Sequence, residues 1–413
     1  MSAATPVASV APPVDLGLYP DLQRFGATDI SACFSCGTCT ASCPLSQTDA
    51  TFPRRIIRYA QVGMKDALLS SKEIWSCYQC GECAETCPTQ ADPSEFMAAA
   101  RRYAIASYDR TGIARAMYTR PIVATVFAVL LAAFFALFMY SAHGPQSGES
   151  LAIFEFIPEG LIHSIGIVVM ILVLVAGLAG VAGMARRIGR REGVGWASLF
   201  GSRAALGRSA RAAWVAIGRE SIGQVQFREE CALDDPEASV APVPWYRRRW
   251  LVHALTLWGF LGLLAATGLD YGLALVGIKD TGTPVPVWYP VRLLGTAAGL
   301  ALVYGVTLLI VDRYRAANRS VKRSTTADWM LLGLLWVTGV TGFVLELALY
   351  LPSAPAWGYW VFLVHVAVAM ELVLLAPFMK LAHAVYRPVA LFFVALARTP
   401  TRTLTRTPTG GPT

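Results

Sequence analysis

Two twelve-residue stretches of this chain nearly repeat each other: Cys33-Phe-Ser-Cys36-Gly-Thr-Cys39-Thr-Ala-Ser-Cys43-Pro44 and Cys77-Tyr-Gln-Cys80-Gly-Glu-Cys83-Ala-Glu-Thr-Cys87-Pro88. They hold eight of the nine cysteines. Each follows the spacing C-x2-C-x2-C-x3-C-P, in which three close thiolates wrap three corners of an iron–sulfide cubane and a fourth comes from elsewhere. Two such runs imply two 4Fe-4S clusters. Zinc takes four ligands per site and is the weaker fit to a run of four cysteines ending in Cys-Pro. A disulfide framework needs an oxidising compartment and a small secreted chain, and no stretch reads as a cleavable signal peptide. Cys231 stands apart and reads as a free cytosolic thiol.

The rest of the chain is of a different kind. Hydrophobic residues make up 55% of it and charged residues 15%, and the mean hydropathy is +0.49, so a cysteine-rich module precedes a membrane module. Crossing a bilayer takes about 20 apolar residues at helical rise. Six stretches qualify, approximately 122–141, 160–184, 250–274, 290–311, 327–350 and 358–383. The expected organisation is a flexible tail over 1–24, a cysteine domain over 25–110, a membrane domain over 111–384 and a second tail over 385–413. The fold class expected is all-α, an α-helical two-cluster domain followed by a six-helix transmembrane bundle.

Lys and Arg collect on the cytoplasmic side of membrane proteins. Segments 142–159 and 351–357 contain neither, and 275–289 contains only Lys279, whereas 185–249 holds twelve arginines and 312–326 adds Arg313, Arg315, Arg319, Lys322 and Arg323. The basic segments are therefore expected to face the cytoplasm, with both termini and the cysteine domain on that side, in an inner-membrane, multi-pass protein. Trp288, Tyr289, Trp357 and Trp360 at one set of ends and Trp245, Tyr246 and Trp250 at the other suit interfacial belts. The net charge of +8 follows from these loops, and no aromatic-laced basic face on a soluble domain argues for nucleic acid.

Between the two runs, residues 53–69 place apolar residues at helical spacing. Asp92-Pro93 then suits the cap and first turn of another helix. A helical linker distinguishes this module from compact β-hairpin ferredoxins. From Cys33 to about Tyr103 it resembles the α-helical ferredoxin domain, in particular the small iron–sulfur C subunit of heterodisulfide reductase, on both cysteine runs, Pro53-Arg54 and Ile74-Trp75. In two-cluster ferredoxins the fourth cysteine serves the other cluster. The resemblance thus implies ligand sets Cys33, Cys36, Cys39 with Cys87, and Cys77, Cys80, Cys83 with Cys43.

Of five histidines, four lie in or at the ends of apolar stretches, where an ionisable residue is a functional candidate. His365 and His383 are eighteen residues apart, five whole turns on one helix, so both are expected on one face about 27 Å apart. A b-type haem between helices needs two imidazoles at equal depth. His253, in the first turn of the third stretch, and His383, at the end of the sixth, meet that requirement near the cytoplasmic face. His163 and His365 share a level nearer the outside and are candidates for a second, outer haem, while His143 reads as a solvated loop residue. From about residue 160 onward the chain resembles the gamma subunit of respiratory nitrate reductase and the cytochrome b subunit of heterodisulfide reductase, through Arg249-Trp250, His253 and the His365-x17-His383 pair. That family carries a second histidine ten residues after the first on this helix. Here the position is Leu263, so either one haem is kept or His163 substitutes. Glu346 and Glu371, within apolar stretches, mark either proton routes toward a quinone or polar helix contacts. Gly177, Gly180 and Gly183 end an apolar stretch and suit close helix packing.

These features together lead to the expectation of a membrane electron-transfer subunit linking a soluble cytoplasmic catalytic subunit, of heterodisulfide reductase, hydrogenase or dehydrogenase type, to menaquinone or ubiquinone. Segment 185–249 is a candidate docking surface. No catalytic residue is assigned, since no nucleophile pair, nucleotide loop or flavin fingerprint occurs. The alternative is a haem-free iron–sulfur sensor or assembly protein.

Overall fold

The computed structural model describes residues 13–47, 51–148, 150–232, 244–278, 286, 288–315, 323–351 and 355–398. These residues are all-α, with no strand among them. The expected Lys279, Arg319 and Lys322 fall outside them, as do the two terminal stretches 1–12 and 399–413.

The two cysteine runs fold as local copies, offset by 44 positions (33 to 77, 43 to 87). In each, a residue with positive φ, Ser35 at 62° or Gln79 at 56°, and then a glycine, Gly37 at 94° or Gly81 at 100°, turn the chain tightly after Cys33 or Cys77. Left-handed backbone is strained for residues other than glycine, and both copies accept that strain to make the same tight turn. One-turn helices follow, Thr38–Ala41 and Glu82–Glu85. The equivalent hydroxyls Ser42 Oγ and Thr86 Oγ1 meet at 3.0 Å across the local pseudo-twofold.

Helices Arg54–Gln61 and Pro93–Tyr108 pack behind the runs, the second capped as expected by Asp92, whose carboxylate accepts from the Glu95 amide at 3.0 Å. The domain begins earlier than the expected residue 25. Leu18–Arg24 is helical, and Leu18 and Leu22 are fully buried against this core. Their apolar side chains, four apart on one helix face, gain more from burial than the tail loses in freedom.

Among the described residues seven helices, not six, are long and apolar enough to cross a membrane. The first five, Pro121–Tyr140, Glu159–Arg191, Arg249–Leu275, Pro290–Tyr314 and Thr326–Tyr350, lie where the hydropathy placed them. The expected sixth is broken. Trp357–Leu375 ends, tight turns follow at Ala376–Phe378 and Lys380–Ala382, and a separate helix, His383–Arg398, begins. Pro377 lacks the N–H that would continue the helix, and Met379 is extended at φ −113°, ψ −172°. His365 and His383 therefore sit on different helices, and the five-turn relation between them does not hold. The expected tail from 385 is helical to Arg398 and packs on the short helix Glu73–Ser76 of the cysteine domain.

Close backbone contact joins the third and fourth apolar helices. A Cβ on Gly259 would lie 2.5 Å from the Leu302 amide nitrogen, and one on Gly305 would lie 2.4 Å from Thr256 Oγ1. The 33-residue helix Glu159–Arg191 is about 50 Å long at 1.5 Å per residue, more than the roughly 30 Å of a hydrocarbon core. Its surplus turns meet the cysteine domain: Arg191 donates to Ala67 O at 2.7 Å and to the Tyr59 hydroxyl at 2.8 Å.

Candidate metal centres

Cys43, Cys77, Cys80 and Cys83 line one recess, closed by Tyr78 and Met97. This is the crossed set implied for the second cluster. Burial first, and then the neighbouring Cys77, Cys80 and Cys43, with Cys39 of the first run contributing last, push the Cys83 thiol well up. Cys39 is likewise raised by burial and by Cys33, with Cys36 and Cys87 contributing, which are the partners implied for the first cluster. Such sites disfavour bare thiolates until a cation neutralises them. Among the described residues no three Cys, His, Asp or Glu side chains converge on a point fit for a single ion. Cys36 is exposed on the first run, beside Phe34, which is 65% exposed.

The second run faces the apolar bundle. Arg101 donates to Cys77 O at 2.8 Å and to Gln79 Oε1 at 3.0 Å. Arg249, the first residue of the third apolar helix, donates to Gln79 O at 3.1 Å. His253 lies one turn further along that same helix. The ring of Tyr78, between Cys77 and Gln79, stacks on Phe227 at 5.6 Å, and Phe227 meets His253 edge-on at 5.4 Å.

His253 and His383 face each other with ring centres 6.2 Å apart and planes inclined by 59°. A metal holds an imidazole nitrogen at about 2.0–2.1 Å, and with about 1.2 Å from that nitrogen to the ring centre, two rings flanking one ion sit about 6.4 Å apart. The observed separation matches. The inclination is compatible, because each ring contains its own metal bond and turns freely about it. The far nitrogens are engaged: His253 Nδ1 with Gln224 Oε1 at 3.1 Å and His383 Nδ1 with Lys380 O at 2.5 Å. Both partners accept, so Nδ1 carries the proton in each ring and Nε2 keeps its lone pair, the form a metal requires. The pair thus fits a bis-histidine haem.

His163 and His365 are not brought together among the described contacts. The His163 ring lies against Tyr271 at 4.1 Å and beside Glu159, whereas His365 Nδ1 bonds the Thr341 hydroxyl at 2.9 Å. His143 is exposed as expected, its ring stacked on Tyr140 at 4.2 Å. Leu263 packs in an apolar cluster with Leu302 and Leu335. Glu346 accepts from Arg292 at 3.1 Å and Thr296 at 3.2 Å, a polar contact between helices. Glu371 is 2% exposed, with Oε1 unpartnered among the described residues.

The described part of segment 185–249 packs in part against the elements that carry the histidine pair. Arg203–Ala213 and the π-helix Trp214–Ile222 pack on His383–Arg398. Gln224 and Phe227 escaped the sequence because neither residue type nor spacing marks them within an arginine-rich loop. Cys231 lies in the helix Val225–Ala232, and its side chain is outside the description.

Residues 29–91 match the family model described as a 4Fe-4S dicluster domain. The C subunit of the H(2):CoB-CoM heterodisulfide,ferredoxin reductase of Methanothermobacter thermautotrophicus is 37% identical over 62 residues, covering 15% of this chain and 34% of that protein. Citrate utilization protein B of Escherichia coli is 29% identical over 153 residues, 37% of this chain and 38% of that protein. The E subunit of the dihydromethanophenazine:CoB--CoM heterodisulfide reductase of Methanosarcina mazei is 27% identical over 101 residues, 24% of this chain and 39% of that protein. The chain therefore spans little more than a third of the length of each of these relatives. No solved structure matches. The chain joins an N-terminal iron–sulfur dicluster domain, related to the small iron–sulfur subunits of heterodisulfide reductases, to a multi-helix membrane domain resembling the membrane subunits of that group.

Proposed function

We propose that this chain is the membrane electron-transfer subunit of a heterodisulfide-reductase-like complex, carrying electrons between a soluble cytoplasmic catalytic subunit and the quinone pool, menaquinone or ubiquinone. The observation that carries the proposal is the His253–His383 pair, 6.2 Å apart and with both Nδ1 atoms engaged, on the helix that Arg249 ties to the second cysteine run. Cys33, Cys36, Cys39 and Cys87 hold one 4Fe-4S cluster and Cys77, Cys80, Cys83 and Cys43 the other. His253 and His383 hold one haem b. Bound clusters and haem supply one-electron carriers, while the chain sets spacing and potential.

The residues assign an order. The second run, tied to the haem helix through Arg249, lies nearer the haem, which leaves the first run for the soluble partner. The arginine contacts with the cysteine domain put that domain and the basic loops at one end of the bundle, which the positive-inside rule assigns to the cytoplasm. The outer haem is left out, since no described contact brings His163 and His365 together, the first lying against Tyr271 and the second beside Thr341.

The deciding experiment is cofactor content of the purified chain: iron, acid-labile sulfide and pyridine haemochrome. About eight irons in two clusters with one haem is the expected result. A haem-free preparation containing both clusters would sink the proposal and favour the iron–sulfur sensor or assembly protein.

A further inference from the structure

The mutual contact of His253 and His383 leaves a question about what holds each ring. His383 is fixed by a main-chain acceptor, Lys380 O, at 2.5 Å. His253 is not. Its Nδ1 meets a side chain from another part of the chain, Gln224 Oε1, at 3.1 Å.

Gln224 has unusual surroundings. It is 5% exposed although polar, and it takes φ of +49°, the left-handed region in which a residue other than glycine is strained. It follows a nine-residue π-helix, Trp214–Ile222, a rare geometry that recurs near functional sites. Its Nε2 is buried with no partner among the described residues. An irregular helix, a strained backbone and a buried amide thus converge on one hydrogen bond. A polar side chain is held this way only if the surrounding structure over-determines it. Nothing else within the described contacts uses the side-chain carbonyl of Gln224.

We infer that Gln224 is a positioning residue for the haem site, fixing His253 as the Nδ1–H form and setting the electron donation of its Nε2. The inference rests on the haem assignment made above. Its physical content is the ligand's second hydrogen bond. A stronger acceptor at Nδ1–H makes the imidazole more basic and favours the oxidised metal, and loss of the acceptor does the opposite. Of the two ring partners, only that of His253 is a side chain, so this bond is the one sequence can adjust. Phe227, three residues on, contacts the same ring and stacks on Tyr78 of the second cysteine run. The cytoplasmic segment thereby joins haem ligand and cluster loop.

The test uses the full-length purified chain and its haem midpoint potential, read by redox titration of the haem absorbance, with haem retention measured by hemin titration of the depleted protein. Gln224→Leu should raise the potential and weaken hemin binding at least about tenfold. Gln224→Glu, which keeps an acceptor and strengthens it, should lower the potential and retain haem. Opposite shifts support the assignment, because a residue acting only through packing would move both variants the same way. Unchanged potentials, or shifts in one direction, overturn it. If Gln224→Leu does not accumulate, Gln224→Glu decides alone, a lowered potential supporting and an unchanged one overturning. A wild-type chain without haem is seen before any variant is made, and it refutes the haem assignment and this inference together.

Discussion

At the scale of single residues, side chains with unusual chemistry were legible and their helpers were not. Eight cysteines in two runs and the histidines at stretch ends announce themselves by type and spacing, whereas Gln224 is an ordinary amide in a basic loop until the fold sets it beside His253. The crossed ligand sets give a sharp expectation. Cys43→Ser, although in the first run, should remove the cluster of the second, halving iron from about eight to about four per chain, with the remaining signal belonging to Cys33, Cys36 and Cys39. Loss of the first-run signal instead, in electron paramagnetic resonance, would contradict the crossing. A second expectation concerns Glu95 and Arg102, both buried and paired, with Arg102 Nε also donating to Phe25 O at 2.8 Å. Glu95→Ala strands a buried guanidinium and should cost about 3–5 kcal/mol. The check is a marked fall in the thermal midpoint, followed by cluster absorbance. An unchanged midpoint would mean that the pair contributes nothing.

At the scale of elements, hydropathy placed five helices and misjudged the last. Residues 358–383 are apolar throughout, and a window average counts Pro377 as one more apolar residue. The chain instead breaks there, and His383 starts a new helix. His253 and His383 meet although the continuous sixth helix on which their equal depth was argued is broken, and the five-turn relation of His365 to His383 fails with it. Glycines were read as packing residues in general, and the contacts show where this matters most. Gly259 lies so close to the fourth apolar helix that an added Cβ would meet the backbone at Leu302 N, 2.5 Å away, and Ala298 O, 2.7 Å away. Backbone cannot yield as a side chain can. Gly259→Val should therefore destabilise the bundle by about 1–3 kcal/mol, visible as a lower midpoint in detergent. Gly268→Val, at a position where an added Cβ meets nothing within 4 Å, is the control expected to stay near wild type.

At the scale of the whole molecule, the cysteine domain and the bundle are one body. A single apolar core runs from Leu18, Ile56 and Trp75 through Tyr108 to Ile188, Tyr386 and Phe393. Trp75 and Tyr108 each place a ring 5.4 Å from that of Tyr386. Polar contacts surround this core, among them Lys72 with Glu192 and Arg249 with Gln79 O. Salt screens exposed ion pairs but leaves apolar burial intact. A protease site engineered after Arg110, in the exposed turn before Ile113, should hence cut without releasing the cysteine domain from membranes, even in high salt. Recovery of that domain in the soluble fraction would refute the shared core. The sequence by itself determined the cluster chemistry, the membrane character and the candidate histidine pair, because each depends on residue type, local spacing or the length of an apolar run. Only the tertiary structure decided that the described part of segment 185–249 packs beside the pair and that Gln224 and Phe227 belong to its surroundings. Those facts depend on contacts between residues far apart in the chain, where the burial of one surface against another outweighs any local pattern.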